Sequence, residues 1–314
     1  MGKSALIFPG QGSQSAGMGR DVFEASPRAK AVYQRANAVL GFDLANLCFQ
    51  GPAEKLARTD FQQPAIFVTS VAIWEAFVES GRGRGQFAFA GGLSLGEYSA
   101  LHVAGALDFD DALRLVYTRG QLMQKAATAV PSAMVSLIGA DERAAAALCH
   151  RAREGEVLAP ANFNCPGQVV ISGSKAACGR AVELAAGFDC KAVLLPVAGA
   201  FHSTLMEPAA AGLWQSLQQT ELRPPRLKVI SNVTADYHTE SDKIRASLRS
   251  QLTMPVLWQR CVERMIVDGA DRFLEVGPGR VLTGLMRKID RRVEAVNLST
   301  MQSLASGAEA PVRT

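Results

Sequence analysis

Residues 86–107 read QFAFAGGLSLGEYSALHVAGAL, and they decide the fold. QFAFAGG is a short apolar run that ends in two glycines. It feeds SLGEYSALHVAGAL, which reads as a helix. A strand that enters a helix through a glycine turn is the unit of a parallel α/β sheet covered on both faces. The same order recurs where ALIFPG precedes GQGSQSAGMG and where RFLEVGPG precedes RVLTGLMRKI. The expected class is therefore α/β with a parallel sheet.

The turn itself, Gly92-Leu93-Ser94-Leu95-Gly96, has the G-x-S-x-G spacing of a nucleophile elbow. The glycines keep a sharp turn free of side chains and let helix and strand pack closely. The turn also sets the serine oxygen at the positive end of the following helix, where developing negative charge is stabilised. A chance Gly-Ser turn has the same letters. The strand before it and the helix after it favour Ser94 as a nucleophile.

Composition narrows the classes. The chain has 314 residues, 48% hydrophobic and 20% charged, an ordinary globular balance. A net charge of +4 is too mild to argue for nucleic acid, though it leaves room for a local basic patch. No run of eighteen apolar residues suggests a membrane span, and MGKSALIFPG lacks the apolar core and cleavage site of a signal peptide. A cytoplasmic monomer is expected. The six cysteines are scattered without a C-x-x-C pair, and the four histidines lack metal-ligand spacing, so inert thiols and no metal are expected.

Residues 132–197 follow a different order. SAMVSLIGA reads as a strand, DERAAAALCHRARE as a helix, and EVLAPANFN and QVVISG as strands around Cys165-Pro166-Gly167. SKAACGRAVELAAG is then a helix and CKAVLLPV a strand. That order, β-α-β-β-α-β, is a ferredoxin-like unit. The expected organisation is a large subdomain from 1–131 and 198–300, a small inserted one at 132–197, and a loose tail at 301–314.

A serine nucleophile needs a base. His202 is the candidate, on a loop after CKAVLLPV, at the carboxyl end of a strand where α/β sheets place their sites. His102 reads as packing within the helix after Ser94, and His150 and His238 read as surface. No acid clearly completes a triad, so a Ser-His pair oriented by a backbone carbonyl is the simpler expectation. In DDALRLVYTRGQLMQKA the apolar stripe takes Ala112, Leu115, Val116, Leu122 and Met123, and Arg119 falls on it. Arg114 falls on the polar side with Asp110, Asp111 and Thr118. A guanidinium facing a core needs an anion. A structural salt bridge and a substrate carboxylate held bidentately both satisfy that need.

The loop Gly10-Gln11-Gly12-Ser13-Gln14 is not a phosphate loop. Ser15 breaks G-x-G-x-x-G, and Met18 follows Gly17 where a Walker motif requires Lys. Its free N–H groups suit an oxyanion hole instead. Arg280, Lys288, Arg291 and Arg292 cluster near the C-terminal helix. They read as a solvated helix face or as a docking patch for an acidic partner.

Taken with FPGQGSQ, RGQLMQ, ANFNCPGQVVISG, AGAFHSTLMEP, QLTMPVLW and EVGPGRVLTGL in that order, these residues resemble the malonyl-CoA:acyl carrier protein transacylases. The resemblance extends to the related acyltransferase domains of polyketide synthases and covers about residues 4 to 300. It implies an α/β-hydrolase-like core with an inserted ferredoxin-like subdomain. It implies that Ser94 takes malonyl from malonyl-CoA and passes it to the phosphopantetheine thiol of acyl carrier protein, with no cofactor. His202 would act as base and then acid, and Gln251 would orient it through its main-chain carbonyl. The N–H groups of Gln11 and Leu95 would form the oxyanion hole, and Arg119 would hold the malonyl carboxylate. Asn162 and Gln63 match positions near the site. Phe201 resembles the bulky residue of malonyl-selective members and would crowd an α-methyl group. Many members have His before the serine where this chain has Leu93, so no role for that histidine carries over.

Overall fold

The computed structural model describes residues 2–81 and 87–306. Its strands are β1 (Lys3–Phe8), β2 (Phe87–Gly92), β3 (Ser132–Ile138), β4 (Leu158–Cys165), β5 (Gln168–Ser174), β6 (Lys191–Leu194), β7 (Lys228–Val229), β8 (Ala270–Val276) and β9 (Glu294–Leu298). Five of them form a parallel sheet in the order β7-β2-β1-β8-β9. The strands expected at ALIFPG, QFAFAGG and RFLEVGPG are β1, β2 and β8; Gln86 lies outside the described residues.

Alternation along these strands explains why both faces are covered. Leu6, Phe8, Ala90 and Leu274 enter one core, and Ala5, Ile7, Phe89 and Phe273 enter the other. A strand buried on both faces reads as a continuous apolar run, which is what ALIF and FAFA are. The carboxyl ends of β1 and β2 lie side by side, with Phe8 opposite Gly92. The loop carrying Gly10 and Gln11 therefore emerges beside the Ser94 turn.

The other four strands form an antiparallel sheet in the order β4-β5-β3-β6. Helix Glu142–Ala152 follows β3, and helix Lys175–Leu184 follows β5. They pack on one face, where Leu148 and Ala181 of the helices share a core with Val135, Leu137 and Ile171 of the strands. The chain order is the β-α-β-β-α-β read from the sequence. This sheet is stitched to the rest by β4: Val256 N–H donates to Ala161 C=O at 2.8 Å, and Phe163 N–H donates to Val256 C=O at 2.9 Å.

Two details differ from the sequence reading. The strand before His202 ends at Leu194 and belongs to the antiparallel sheet, so His202 reaches the site on a loop from the small sheet rather than from a parallel strand. The segment expected to be loose from 301 begins with a helix, Met301–Ser306. Leu304 is buried in the core, and Met301 N–H donates to the Asp21 carboxylate at 2.7 Å. A single buried leucine anchors too short a segment to show as a period. Residues 307–314 of the expected tail lie outside the described residues.

Candidate active site

Ser94 sits between β2 and helix Gly96–Val103, at the carboxyl edge of the parallel sheet. Its φ is +53°, a left-handed conformation that is unfavourable for serine. Close backbone packing forces that turn. A Cβ on Gly92 would lie 1.9 Å from the Gly96 carbonyl carbon, and one on Gly96 would lie 2.1 Å from the Phe8 carbonyl oxygen. A Cβ on Gly10 would lie 2.3 Å from the Leu93 carbonyl oxygen, so the first loop presses on the elbow. The strained serine is pinned on both sides. Its N–H donates to Asn232 Oδ1 at 2.6 Å, and its C=O accepts from Gln251 Nε2 at 3.0 Å.

Ser94 Oγ lies 2.9 Å from His202 Nε2. His202 also has a positive φ, +57°, on the tight loop Gly199–Ser203. Ser203 Oγ closes that loop by donating to Ala200 C=O at 2.7 Å, and Ala200 N–H donates to Ser132 Oγ at 3.2 Å. His202 Nδ1 lies 2.7 Å from the Gln251 carbonyl. A carbonyl only accepts, so Nδ1 carries the proton and Nε2 presents its lone pair to the serine hydroxyl. Gln251 follows helix Ser241–Ser250, where carbonyls lack intrahelical partners and the helix end is negative. Burial and then the Arg119 charge pull the His202 pKa down to about 4, against the opposing pull of the Gln251 carbonyl. His202 is thus neutral near pH 7 and able to accept the serine proton.

Arg119 lies on helix Phe109–Ala129, on the buried stripe with Ala112, Leu115, Val116 and Met123, and is 1 % exposed. Arg114 is exposed beside Asp111, as the stripe required. The partners of Arg119 are all neutral: Nη1 donates to Gln63 Oε1 at 2.7 Å, and Nη2 donates to Ser94 Oγ and Gln251 Oε1, both at 2.9 Å. Gln63 comes from helix Thr59–Glu79, which can approach because a Cβ at Gly120 would lie 2.8 Å from Thr59 C=O. Burial lowers the Arg119 pKa, opposed by Tyr98 and Glu97. The guanidinium remains charged. No salt bridge to Arg119 forms among the described residues. What the fork offers is a buried cation beside the serine oxygen, suited to a carboxylate.

The N–H groups of Gln11 and Leu95 find no acceptor among the described residues, while that of the neighbouring Gly12 bonds Gln14 Oε1 at 3.0 Å. Phe201 is buried next to His202. Asn162 is buried on β4, beside Val256, and its side chain makes no hydrogen bond to Ser94, His202 or Arg119. Leu93 packs against the core that holds Phe89 and Trp258.

Three residues of this cluster escaped the sequence reading. Asn232 takes the Ser94 N–H and donates to Gly92 C=O at 2.8 Å. Glu97 is 0 % exposed. His238, expected on the surface, is buried, with Nε2 2.7 Å from Glu97 Oε1. Its neighbours are polar, but its N–H donates to Val229 C=O at 2.8 Å, which folds the segment back along the sheet edge. The signal available in the sequence was Glu97, the one charged residue in SLGEYSALHV. His102 packs between Phe67 and Phe109 as expected, and His150 is exposed. Burial raises the thiols of Cys48 and Cys149 to about 12, so they are inert. No group of His, Cys, Asp and Glu among the described residues could hold a metal, and no described helix is long and apolar enough to cross a membrane.

A buried serine beside a neutral histidine and an arginine suits acyl transfer, and the fold is shared with proteins of that class. The chain belongs to the acyl transferase domain family, whose model matches residues 5–305. It is 42% identical over 306 residues to a malonyl CoA-acyl carrier protein transacylase of Bacillus subtilis (strain 168), covering 97% of this chain and 96% of that one. An acyl carrier protein S-malonyltransferase from Vibrio cholerae has a similar structure, with TM-score 0.93 and 44% identity, covering 97% of this chain and 99% of that one. A malonyl-transacylase solved in complex with its type II PKS acyl-carrier protein gives TM-score 0.94 at 40% identity, covering 98% of this chain and 100% of that one.

Proposed function

We propose that this chain moves malonyl from malonyl-CoA to the phosphopantetheine thiol of an acyl carrier protein through a malonyl-Ser94 intermediate, supplying fatty acid or polyketide synthesis. The observation that carries it is Ser94 Oγ held between His202 Nε2 and Arg119 Nη2, at 2.9 Å from each. One neighbour removes a proton. The other offers charge to a substrate that carries a carboxylate.

In the first half-reaction His202 Nε2 takes the hydroxyl proton while Ser94 Oγ attacks the thioester carbonyl. The carbonyl oxygen becomes an oxyanion that accepts from the Gln11 and Leu95 N–H groups, as elbow serines require. The C–S bond then breaks, and the CoA sulfur leaves with the proton from His202. The Gln251 carbonyl keeps His202 oriented and favours the transient imidazolium. Arg119 turns from Ser94 Oγ to the free malonyl carboxylate, with Gln63 still accepting from it. In the second half-reaction the carrier thiol gives its proton to His202, attacks malonyl-Ser94, and Ser94 recovers its proton as the C–O bond breaks. The steps need only these side chains and the two thiols.

Phe201 narrows the acyl pocket beside His202 against an α-methyl group, a distinction of about 1–3 kcal/mol. Asn162 lines the side of the site supplied by β4. The order and spatial arrangement of β3 to β6 support naming 132–197 a ferredoxin-like unit inserted into an α/β-hydrolase-like core made by 1–131 and 198–300. Measuring transfer with and without holo carrier protein tests the function. A transferase holds malonyl on Ser94 until the thiol arrives. Rapid release of free malonate without carrier would indicate a hydrolase and contradict the proposal.

A further inference from the structure

Ser94 and His202 both occupy strained backbone, and something must hold them there. Ser94 N–H is held by Asn232 Oδ1, and Ser94 C=O is held by Gln251 Nε2. Gln251 also accepts from His202 Nδ1 through its carbonyl and from Arg119 Nη2 through its amide oxygen. Serine, imidazole and guanidinium therefore all bond Gln251, and the serine also bonds Asn232, nineteen positions away on a separate segment. Gln251 and Asn232 meet at one atom. Glu97 Oε2 accepts from Gln251 Nε2 at 2.7 Å and from Asn232 N–H at 3.1 Å. Its other oxygen, Oε1, accepts from His238 Nε2 at 2.7 Å.

We propose that Glu97 is a positioning residue for acyl transfer, tying through Gln251 and Asn232 the serine turn, the imidazole and the carboxylate-binding arginine into one unit. This inference rests on the transferase reading above. Glu97 touches no reacting atom. A fully buried carboxylate with three donors has one stable orientation, because each donor lost leaves an uncompensated lone pair in a dry site. The Gln251 amide lies between opposite charges, its oxygen toward Arg119 and its nitrogen toward Glu97. That fixes which way the amide faces. A flipped amide would point NH₂ at the guanidinium and oxygen at the carboxylate, and both contacts would repel. Because Arg119 Nη2 is aimed by that amide oxygen, Glu97 also bears on acyl selectivity.

Two variants separate reach from charge. Glu97→Asp keeps the charge and is one methylene too short to meet Gln251 and Asn232 together. Glu97→Gln keeps the reach, with its oxygen toward Gln251 and Asn232 and its NH₂ toward a His238 that accepts at Nε2. Acyl loading of Ser94 is measured by rapid quench with malonyl- and acetyl-CoA, per mole of folded enzyme, for wild type and both variants. Glu97→Asp is expected to slow malonyl loading about 100-fold, the scale of an ångström of misplacement. The malonyl-to-acetyl ratio is expected to fall with it, and Glu97→Gln is expected to restore most of the loading. A ratio and a loading rate per mole of folded enzyme that both stay at the wild-type value in Glu97→Asp would overturn the inference. If Glu97→Asp does not fold, Glu97→Gln still decides: full loss of loading in a folded Glu97→Gln enzyme contradicts positioning by reach. Failure of wild type to load malonyl would overturn the transferase reading and this inference together, whereas normal wild-type loading isolates the test to Glu97.

Discussion

Arg119 Nη2 lies 2.9 Å from Ser94 Oγ, so the buried cation donates to the same oxygen that faces His202. In the unacylated enzyme the proposed carboxylate anchor and the nucleophile are hydrogen-bonded partners. An acyl group without a carboxylate gives Arg119 no better acceptor than the serine. One with a carboxylate draws it away.

Arg119→Ala should therefore separate acyl groups. Charge-assisted contacts contribute about 1.5–3 kcal/mol, so malonyl loading is expected to fall roughly ten- to hundredfold. Acetyl loading is expected to be kept or raised. Single-turnover rates with the two thioesters check this. An equal loss for both would make Arg119 a structural residue supporting Gln63 and Gln251.

The His202 environment sets the acid limb of the rate. Its pKa is lowered to about 4 by burial and by Arg119, and the proposed mechanism needs the neutral ring. Log kcat/KM should be level from near neutrality down to about pH 5 and fall below about pH 4. A limb near the ordinary histidine value of about 6.5 would contradict this. The stability consequence has the same sign. The unfolded chain protonates this histidine near pH 6.5 and the folded chain does so near 4, so the unfolded state binds more protons in between. Stability rises with pH across that window and is fully present above it. The contribution lost below it is of order 3 kcal/mol, readable from denaturant midpoints at pH 4 and 7.

Backbone contact, rather than side-chain packing, builds the elbow. Gly96→Ala would place a methyl 2.1 Å from the Phe8 carbonyl oxygen. Relieving it requires β1 and the helix to part, and overpacking of this kind costs at least about 1–3 kcal/mol. Gly96→Ala should lower Tm and abolish Ser94 loading. Gly284→Ala, on a helix with nothing within 4 Å of the added Cβ, is the control and should be neutral or stabilising. Equal Tm values for the two would contradict this account of the turn.

These contacts also show which parts of the site were legible in the sequence. Ser94 was legible because strand, glycine turn and helix are contiguous, and each is a local property. Arg119 was legible because a charge on an apolar stripe breaks a period. His202 depended on its loop and, with Gln251, on family resemblance, since the bond between them spans 49 positions. Asn232 and His238 were not legible. Each lies among polar neighbours, and each is buried only because the segment after β7 folds over Glu97. Glu97 itself stood in the opening stretch, but its three donors come from positions 135 to 154 residues away. Pairings of that range leave no periodicity.

The basic cluster near the C-terminus divides on inspection. Arg280, Lys288, Arg291 and Arg292 are all exposed, but Arg292 pairs with Asp290 at 2.6 Å. If the first three face the acidic carrier, Arg291→Glu should raise the KM for carrier protein and leave Ser94 loading by malonyl-CoA unchanged. Added salt should also raise that KM, because exposed charges are screened within about 8–10 Å at physiological ionic strength. An unchanged carrier KM in Arg291→Glu would leave this cluster a solvated helix face.

The central claim, that Ser94 is acylated with malonyl, has one direct test. Enzyme mixed with malonyl-CoA, without carrier, is quenched in acid within milliseconds and weighed intact, then digested to locate the adduct. The account predicts a mass gain of one malonyl group on the peptide bearing Ser94, absent in Ser94→Ala. An unmodified wild-type mass, or an adduct elsewhere on the chain, would contradict it.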